Sequence, residues 1–225
     1  MKPQTGVGCK AERKCSNRLA YAGRLSFGKE YTMDKLSACA NAYHKMLNLT
    51  YQIVLGRKGK LYELHIGFEA VSFHHLIGIH KLHDLRIARA NREKVFSDIL
   101  AGKISYEFIS KSRYFTQIEN RFFPFASIEK IFDDNSLVFR YNAKVNQLSL
   151  IEADYLMSTP YEGNDIYIFL ARKQDDDHYY CRSFFPKSER DYTQGQPRFT
   201  LLKKEKTCLS TGKTTVQYDQ LTPKG

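Results

Sequence analysis

The chain has 225 residues, enough to bury a substantial core in one large domain or two small ones. Hydrophobic residues at 42% and charged residues at 26% fit a globular protein, and no apolar run reaches the roughly 18 residues needed to cross a bilayer. The net charge of +11 suggests nucleic acid, but residues 1–60 hold 12 Lys/Arg against 3 Asp/Glu, whereas residues 61–225 hold 23 against 21. The excess sits in the leading quarter, so the main body has to be judged on its own residues.

Residues 1–32 are polar and basic, with glycines spread through them, and read as a flexible extension. The start, MKPQTGVGCKAERKC, carries positive charge with no apolar stretch behind it, so the expectation is a cytoplasmic protein with no membrane partner. A single domain is expected over 33–225. From Asp34, a plain helix cap, DKLSACANAYHKML sets Leu36, Cys39, Tyr43, Met46 and Leu47 on one helical face. TYQIVLG and LYELHIGF then alternate as strands around RKGK, a hairpin turn whose Arg57, Lys58 and Lys60 are exposed cations available to a phosphate backbone.

SFHHLIGIHKLHDL follows, placing His74, His75, His80 and His83 within ten positions of a chain that has seven histidines. Residues 91–122 return to helical spacing, with Val95, Phe96, Ile99 and Leu100, then Tyr114, Phe115, Ile118 and Phe122. From Ser136 the strand period takes over in SLVFRYN, LSLIEADYLMS, DIYIFLARK, HYYCRSFFP, RFTLLKKEKT and TTVQYDQL, with QDDD as a solvated hairpin tip. The expected fold is α+β: an N-terminal helix and hairpin, a central helical block, then a curved, mainly antiparallel sheet.

Five scattered cysteines without a C-x-x-C pair argue against a disulfide framework or a cysteine-rich zinc site. The histidines lack H-E-x-x-H or any other metal spacing, and Asp84 is their single acidic neighbour, so no metal is expected. Apolar Phe73, Leu76, Ile77, Ile79 and Leu82 lie among them, which makes core-edge imidazoles the plain reading. The chemical reading is acid–base work, because imidazole titrates near neutral pH. Its partners would be Arg182 in YYCRSFFP, where alternation predicts a face shared with Tyr180 and Phe184. DYTQGQ adds Tyr192, Thr193 and Gln196, and TLLKKEK adds Lys203 and Lys204 on opposite faces. Histidine, cations and neutral donors without an acidic cage form the equipment of a metal-independent ribonuclease.

The order YQIVLGRKGKLYELHIGF, SFHHLIGIHKL, SLVFRYN, IEADYLM, IYIFLA, YYCRSFFP, DYTQGQ and TLLKKEK resembles the phage Barnase–EndoU–colicin–RelE-like nucleases of the fourth type, over roughly residues 33–221. Phe73, His75, Leu76 and Gly78, with RSFFP and DYTQGQ, are the more specific parts. The resemblance implies a BECR-like nuclease fold whose concave sheet face binds RNA and cleaves it without cofactor or metal. It further implies a toxin or effector of a phage or mobile element, opposed by an antitoxin or aimed at a host protein. His75 is carried over as base or acid, Arg182 and Lys203 as phosphate binders, and Thr193 and Gln196 as polar donors. Tyr192 and Lys204 join the hairpin cations as nucleic-acid contacts. The helical block over 91–122 is long for a minimal nuclease of this kind and reads as an insertion that recognises a partner. The competing expectation is a non-catalytic nucleic-acid- or protein-binding module on the same fold.

Overall fold

The computed structural model describes residues 34–146, 149–173 and 178–222. The basic extension expected over 1–32 and the QDDD tip lie outside them. Asp34 caps the first helix as expected: its Oδ1 accepts the Ser37 amide at 3.0 Å, opening α1 (Lys35–Met46). Its Oδ2 accepts the Tyr106 amide at 2.8 Å, so one carboxylate also fixes the start of α4 (Tyr106–Ser110). Between them run β1 (Leu49–Arg57), β2 (Lys60–Gly67), α2 (Ala70–Leu76) and α3 (Arg92–Leu100). The β1–β2 turn has positive φ at both Lys58 and Gly59, the twist a two-residue hairpin requires.

After α4 come α5 (Glu119–Phe125) and α6 (Ile128–Asp133), so the helices continue beyond residue 122. The strands follow as β3 (Leu137–Arg140), β4 (Tyr155–Tyr161), β5 (Asn164–Arg172), β6 (His178–Pro186), β7 (Arg198–Cys208) and β8 (Thr214–Asp219). The fold is α+β. All pairings are antiparallel except β2 with β6. The later strands form no simple meander, because β7 pairs with β1 and β3 instead of β6. The ladder therefore runs β1-β2-β6-β5-β4-β3-β7 and returns to β1, with β8 appended on β7. The first residues of LSLIEADYLMS also depart from expectation, since β4 begins at Tyr155; Ile151 and Ala153 instead turn onto an aromatic cluster.

Both faces of β5 are buried. Ile166, Ile168 and Leu170 join the core beneath the helices, while Tyr167 and Phe169 pack with Phe139, Tyr141 and Leu156 on the other face. Each large apolar side chain so buried contributes about 2 kcal/mol. The helices cover the free edge of β6: β2 pairs with it only as far as Gly67–Tyr180, and α2 and α5 pack beyond that point. Among the described residues no helix is long and apolar enough to cross a membrane.

Lys204 was expected to contact nucleic acid, but its β7 position points into the core and leaves it fully buried. Its Nζ donates to Phe132 O at 2.9 Å and to Asp134 O, closing the C-terminus of α6. Burial lowers its pKa to about 8, against the raising effect of Asp133 and Asp134. Lys204→Ala leaves those carbonyls unpaired and opens a cavity, so a stability loss of roughly 3 kcal/mol is expected in chemical denaturation. A loss under about 1 kcal/mol would remove Lys204 from the core's support.

Candidate active site

The histidine segment folds into two short pieces joined by one glycine. Phe73 and Leu76 turn α2 onto the core. His74 is buried beside them, and its Nε2 donates to Ile87 O at 2.8 Å, which fixes it as a structural imidazole. His75 points away from the core. Gly78, at φ +94°, ends α2 in the left-handed conformation, and a tight 3-10 turn over Ile79–Lys81 follows. That reversal lays the His80 ring on the His75 ring, with centroids 4.0 Å apart and planes 13° from parallel.

The stacked pair lines a cleft of about 570 Å³ bounded by α2, α5, β6 and the loops at 149–151 and 188–192. Arg121 of α5 is held at its wall: Nη1 donates to Leu76 O at 2.9 Å and Phe184 O at 3.2 Å. It thereby serves the last turn of α2 and the unpaired edge of β6 together. Its Nε is buried and has no hydrogen-bond partner among the described residues, its guanidinium lies 5.5 Å over the Phe185 ring, and burial lowers its pKa to about 10.

Arg182 enters from a β-bulge. Phe169 pairs with Ser183 and Leu170 with Cys181, so Arg182 is the extra residue of β6. The bulge changes the parity of the strand: Cys181 and Phe184 share the helix-facing core, and the face expected for Arg182 alongside Phe184 is not the one observed. Arg182 makes no hydrogen bond or ion pair among the described residues. Lys81, Gln117, Asn120, Ser149, Ser183, Ser188 and Tyr192 complete the polar lining, to which no carboxylate of the described residues contributes.

This arrangement fixes the charge of the site. Burial first, then Arg182 and the other cations Arg121 and Arg92, with His74, lower the pKa of His75 to about 4. Burial, then His75 and Arg121, with Lys81 and His74, lower that of His80 to about 3. At neutral pH the cleft thus presents two neutral imidazoles able to accept protons, between cations that no acid among the described residues neutralises. An anion fits this environment and a metal cation does not. Among the described residues no group of three or more His, Cys, Asp or Glu is placed to hold a metal.

The chain matches the model of the phage-Barnase-EndoU-ColicinE5/D-RelE like nuclease4 family, PBECR4, over residues 35–221. It belongs to that family. No curated protein and no solved structure matches it.

Of the residues singled out from the sequence, the PBECR4 fold brings His75, Arg182 and Tyr192 into one cleft. The others lie elsewhere. Lys203 pairs with Glu205 at 2.9 Å on β7. Thr193 donates its hydroxyl to Asp191 at 2.6 Å, tying the loop that carries Tyr192. Gln196 clasps the backbone of Asn142 through bonds of 2.8 and 3.1 Å. Arg57 lies 5.8 Å from the Phe199 ring, and Lys58 and Lys60 belong to the β1–β2 turn. His83 meets Tyr114 edge-on at 5.5 Å, outside the cleft.

His80, Lys81, Asn120 and Arg121 were not assigned to the site from the sequence. Arg121 left a signal there: it falls three residues after Ile118 and one before Phe122, on the apolar stripe of its helix. A charged residue on such a stripe needs either a buried partner or a ligand.

Proposed function

We propose that this nuclease-family protein is a metal-independent ribonuclease acting at the His75–His80 cleft. The observation that carries the reading is the pair of neutral imidazoles set against Arg121 and Arg182 in a cleft that no carboxylate of the described residues lines. In this mechanism His75 takes the proton of the ribose 2′-hydroxyl, and O2′ attacks the adjacent phosphorus. Arg182 and the Arg121 guanidinium at the cleft wall hold the charge that builds on the phosphorane oxygens. The bond from phosphorus to the 5′-oxygen breaks, and His80 supplies the leaving oxygen with a proton taken up when the phosphate anion enters. The products are a 2′,3′-cyclic phosphate and a 5′-hydroxyl. Tyr192, beside Phe185, offers a ring face for a base.

A toxin or host-directed effector role, with an opposing inhibitor protein, is part of the proposal and rests on the sequence resemblance, the family's description itself naming a nuclease. The purified protein is expected to cleave RNA in excess EDTA and to leave cyclic phosphate ends. A substrate with a single 2′-deoxy sugar at the cleavage position should stay intact. Cleavage that requires added divalent cation would overturn the metal-free mechanism, and cleavage of the deoxy position would overturn the 2′-hydroxyl as nucleophile. Binding without cleavage of any nucleic acid would select the non-catalytic module.

A further inference from the structure

Of the aromatic side chains among the described residues only Phe108 and Phe123 are exposed, and Phe123 is the more so at 67%. It sits on α5, where Arg121, Phe122 and Phe125 are buried while Asn120 and Phe123 face solvent. Asn120 lines the cleft, and side chains three apart on a helix are neighbours, so Phe123 stands one turn from the cleft rim. The β4–β5 hairpin reaches the same rim from β6. Tyr161 and Asn164 close its turn, Ile166 pairs with Pro186 of the cleft wall, and Asn164 Nδ2 donates to Lys187 O at 3.1 Å. Tyr161 meets Phe123 with ring centroids 5.8 Å apart and planes at 49°. Its hydroxyl donates to Ser127 Oγ at 2.8 Å, so the ring behind Phe123 is held in place. Lys130 Nζ lies 5.7 Å from the Tyr161 ring and makes no hydrogen bond or ion pair among the described residues, whereas its neighbour Glu129 is engaged with Lys206.

We propose that Phe123, backed by Tyr161 and flanked by Lys130, is a stacking subsite for the base of a nucleotide adjoining the one bound in the cleft. The inference deepens the nuclease reading and rests on it for the identity of the ligand. A protein interface would bury roughly 800 Å² on each partner, yet α5, α6 and the β4–β5 hairpin expose no second large apolar side chain among the described residues. One exposed ring with an unengaged ammonium beside it matches a single flat base and its phosphate instead. Stacking reads the area of a base rather than its edge, so the subsite prefers purine to pyrimidine without selecting one purine.

The chain contains no tryptophan, so Phe123→Trp in the full-length protein places a single indole at the subsite. Uncleavable 2′-O-methyl oligonucleotides are titrated into it, beside copies carrying one abasic residue at successive positions. The intact strand is expected to quench the indole, and quenching should vanish when the abasic residue reaches one particular position. Wild type should bind that abasic strand roughly tenfold more weakly than the intact one. Phe123→Ala should bind both strands alike, at the weaker level, with an unchanged melting temperature because the ring is exposed. Phe108→Ala, which removes the other exposed ring, should keep the wild-type difference. Lys130→Ala should lower the slope of log K against log salt by about 0.7; an unchanged slope would overturn its part. An abasic penalty that persists in Phe123→Ala, or quenching by every abasic strand, would overturn the subsite. Unchanged oligonucleotide affinity in Phe123→Ala would overturn it too, and would leave the ring to a protein partner. RNA cleavage by a protein with no abasic-sensitive position would sink the subsite and keep the nuclease reading. A Phe123-dependent penalty in a protein that cleaves nothing would do the reverse.

Discussion

His75→Ala is expected to lower kcat for RNA cleavage by about 10²–10⁴-fold while leaving the circular dichroism spectrum unchanged, the range for loss of a general base. The side chain faces the cleft rather than the core, so its removal leaves the packing of Phe73 and Leu76 in place. The pH dependence gives a second readout. Because burial and the neighbouring cations hold His75 near 4, the base is already neutral over the whole range above about 5 in the free protein. The acidic limb of kcat/KM should therefore fall near pH 4, more than two units below an ordinary histidine.

Substrate changes the sign of the local field. A phosphate bound by Arg121 and Arg182 offsets their repulsion of a proton, so the imidazole pKa values rise in the complex and binding takes up protons. Affinity then increases as pH falls toward the free-protein values and levels off below them. The acidic limb of kcat, which reports the complex, should lie above that of kcat/KM. Coincident limbs near pH 6.5, or a His75→Ala variant with unchanged kcat, would remove His75 from the reaction.

Much of the fold was legible because its signals are local. Asp34 before a helical stripe, alternating strands around Lys58 and Gly59, and the short, continuous apolar run of β5 each write their structure over a few residues. Strand neighbours were less legible. That β7 inserts between β1 and β3 depends on which edge the helices leave open, a long-range fact that periodicity does not carry. The site divides in the same way. His75 and Arg182 stood out as reactive groups in apolar surroundings, and the structure gathers them. Lys203, Lys204, Thr193 and Gln196 have equally suitable chemistry but are occupied with Glu205, two carbonyls of the α6 end, Asp191 and Asn142. Availability, rather than residue type, separates the two sets. A one-residue bulge at Arg182 was enough to change which face of β6 each side chain takes.

Gly78→Ala should unfold the protein at a temperature roughly 10 °C lower and reduce cleavage beyond what that loss explains, because it acts on backbone and site together. A non-glycine residue at φ +94° incurs strain of about 1–2 kcal/mol. The new Cβ would lie 2.5 Å from Ile118 Cγ2, in a fully buried contact, adding about 1–3 kcal/mol of overpacking. Together these approach 3 kcal/mol, which at about 2–4 °C per kcal/mol gives the stated shift. The contact has only two ways to relax. If α5 moves away, Arg121 leaves Leu76 O and Phe184 O; if the 3-10 turn moves, His80 slides off His75. Either movement dismantles the anion site. Ile118→Leu removes the Cγ2 methyl while keeping an apolar side chain there, so it should restore part of the stability and activity of Gly78→Ala although it gains nothing alone. Full rescue would assign the whole effect to the Ile118 clash. No rescue would assign it to the left-handed backbone, and an unchanged melting temperature in Gly78→Ala would show that neither constraint holds the two histidines together.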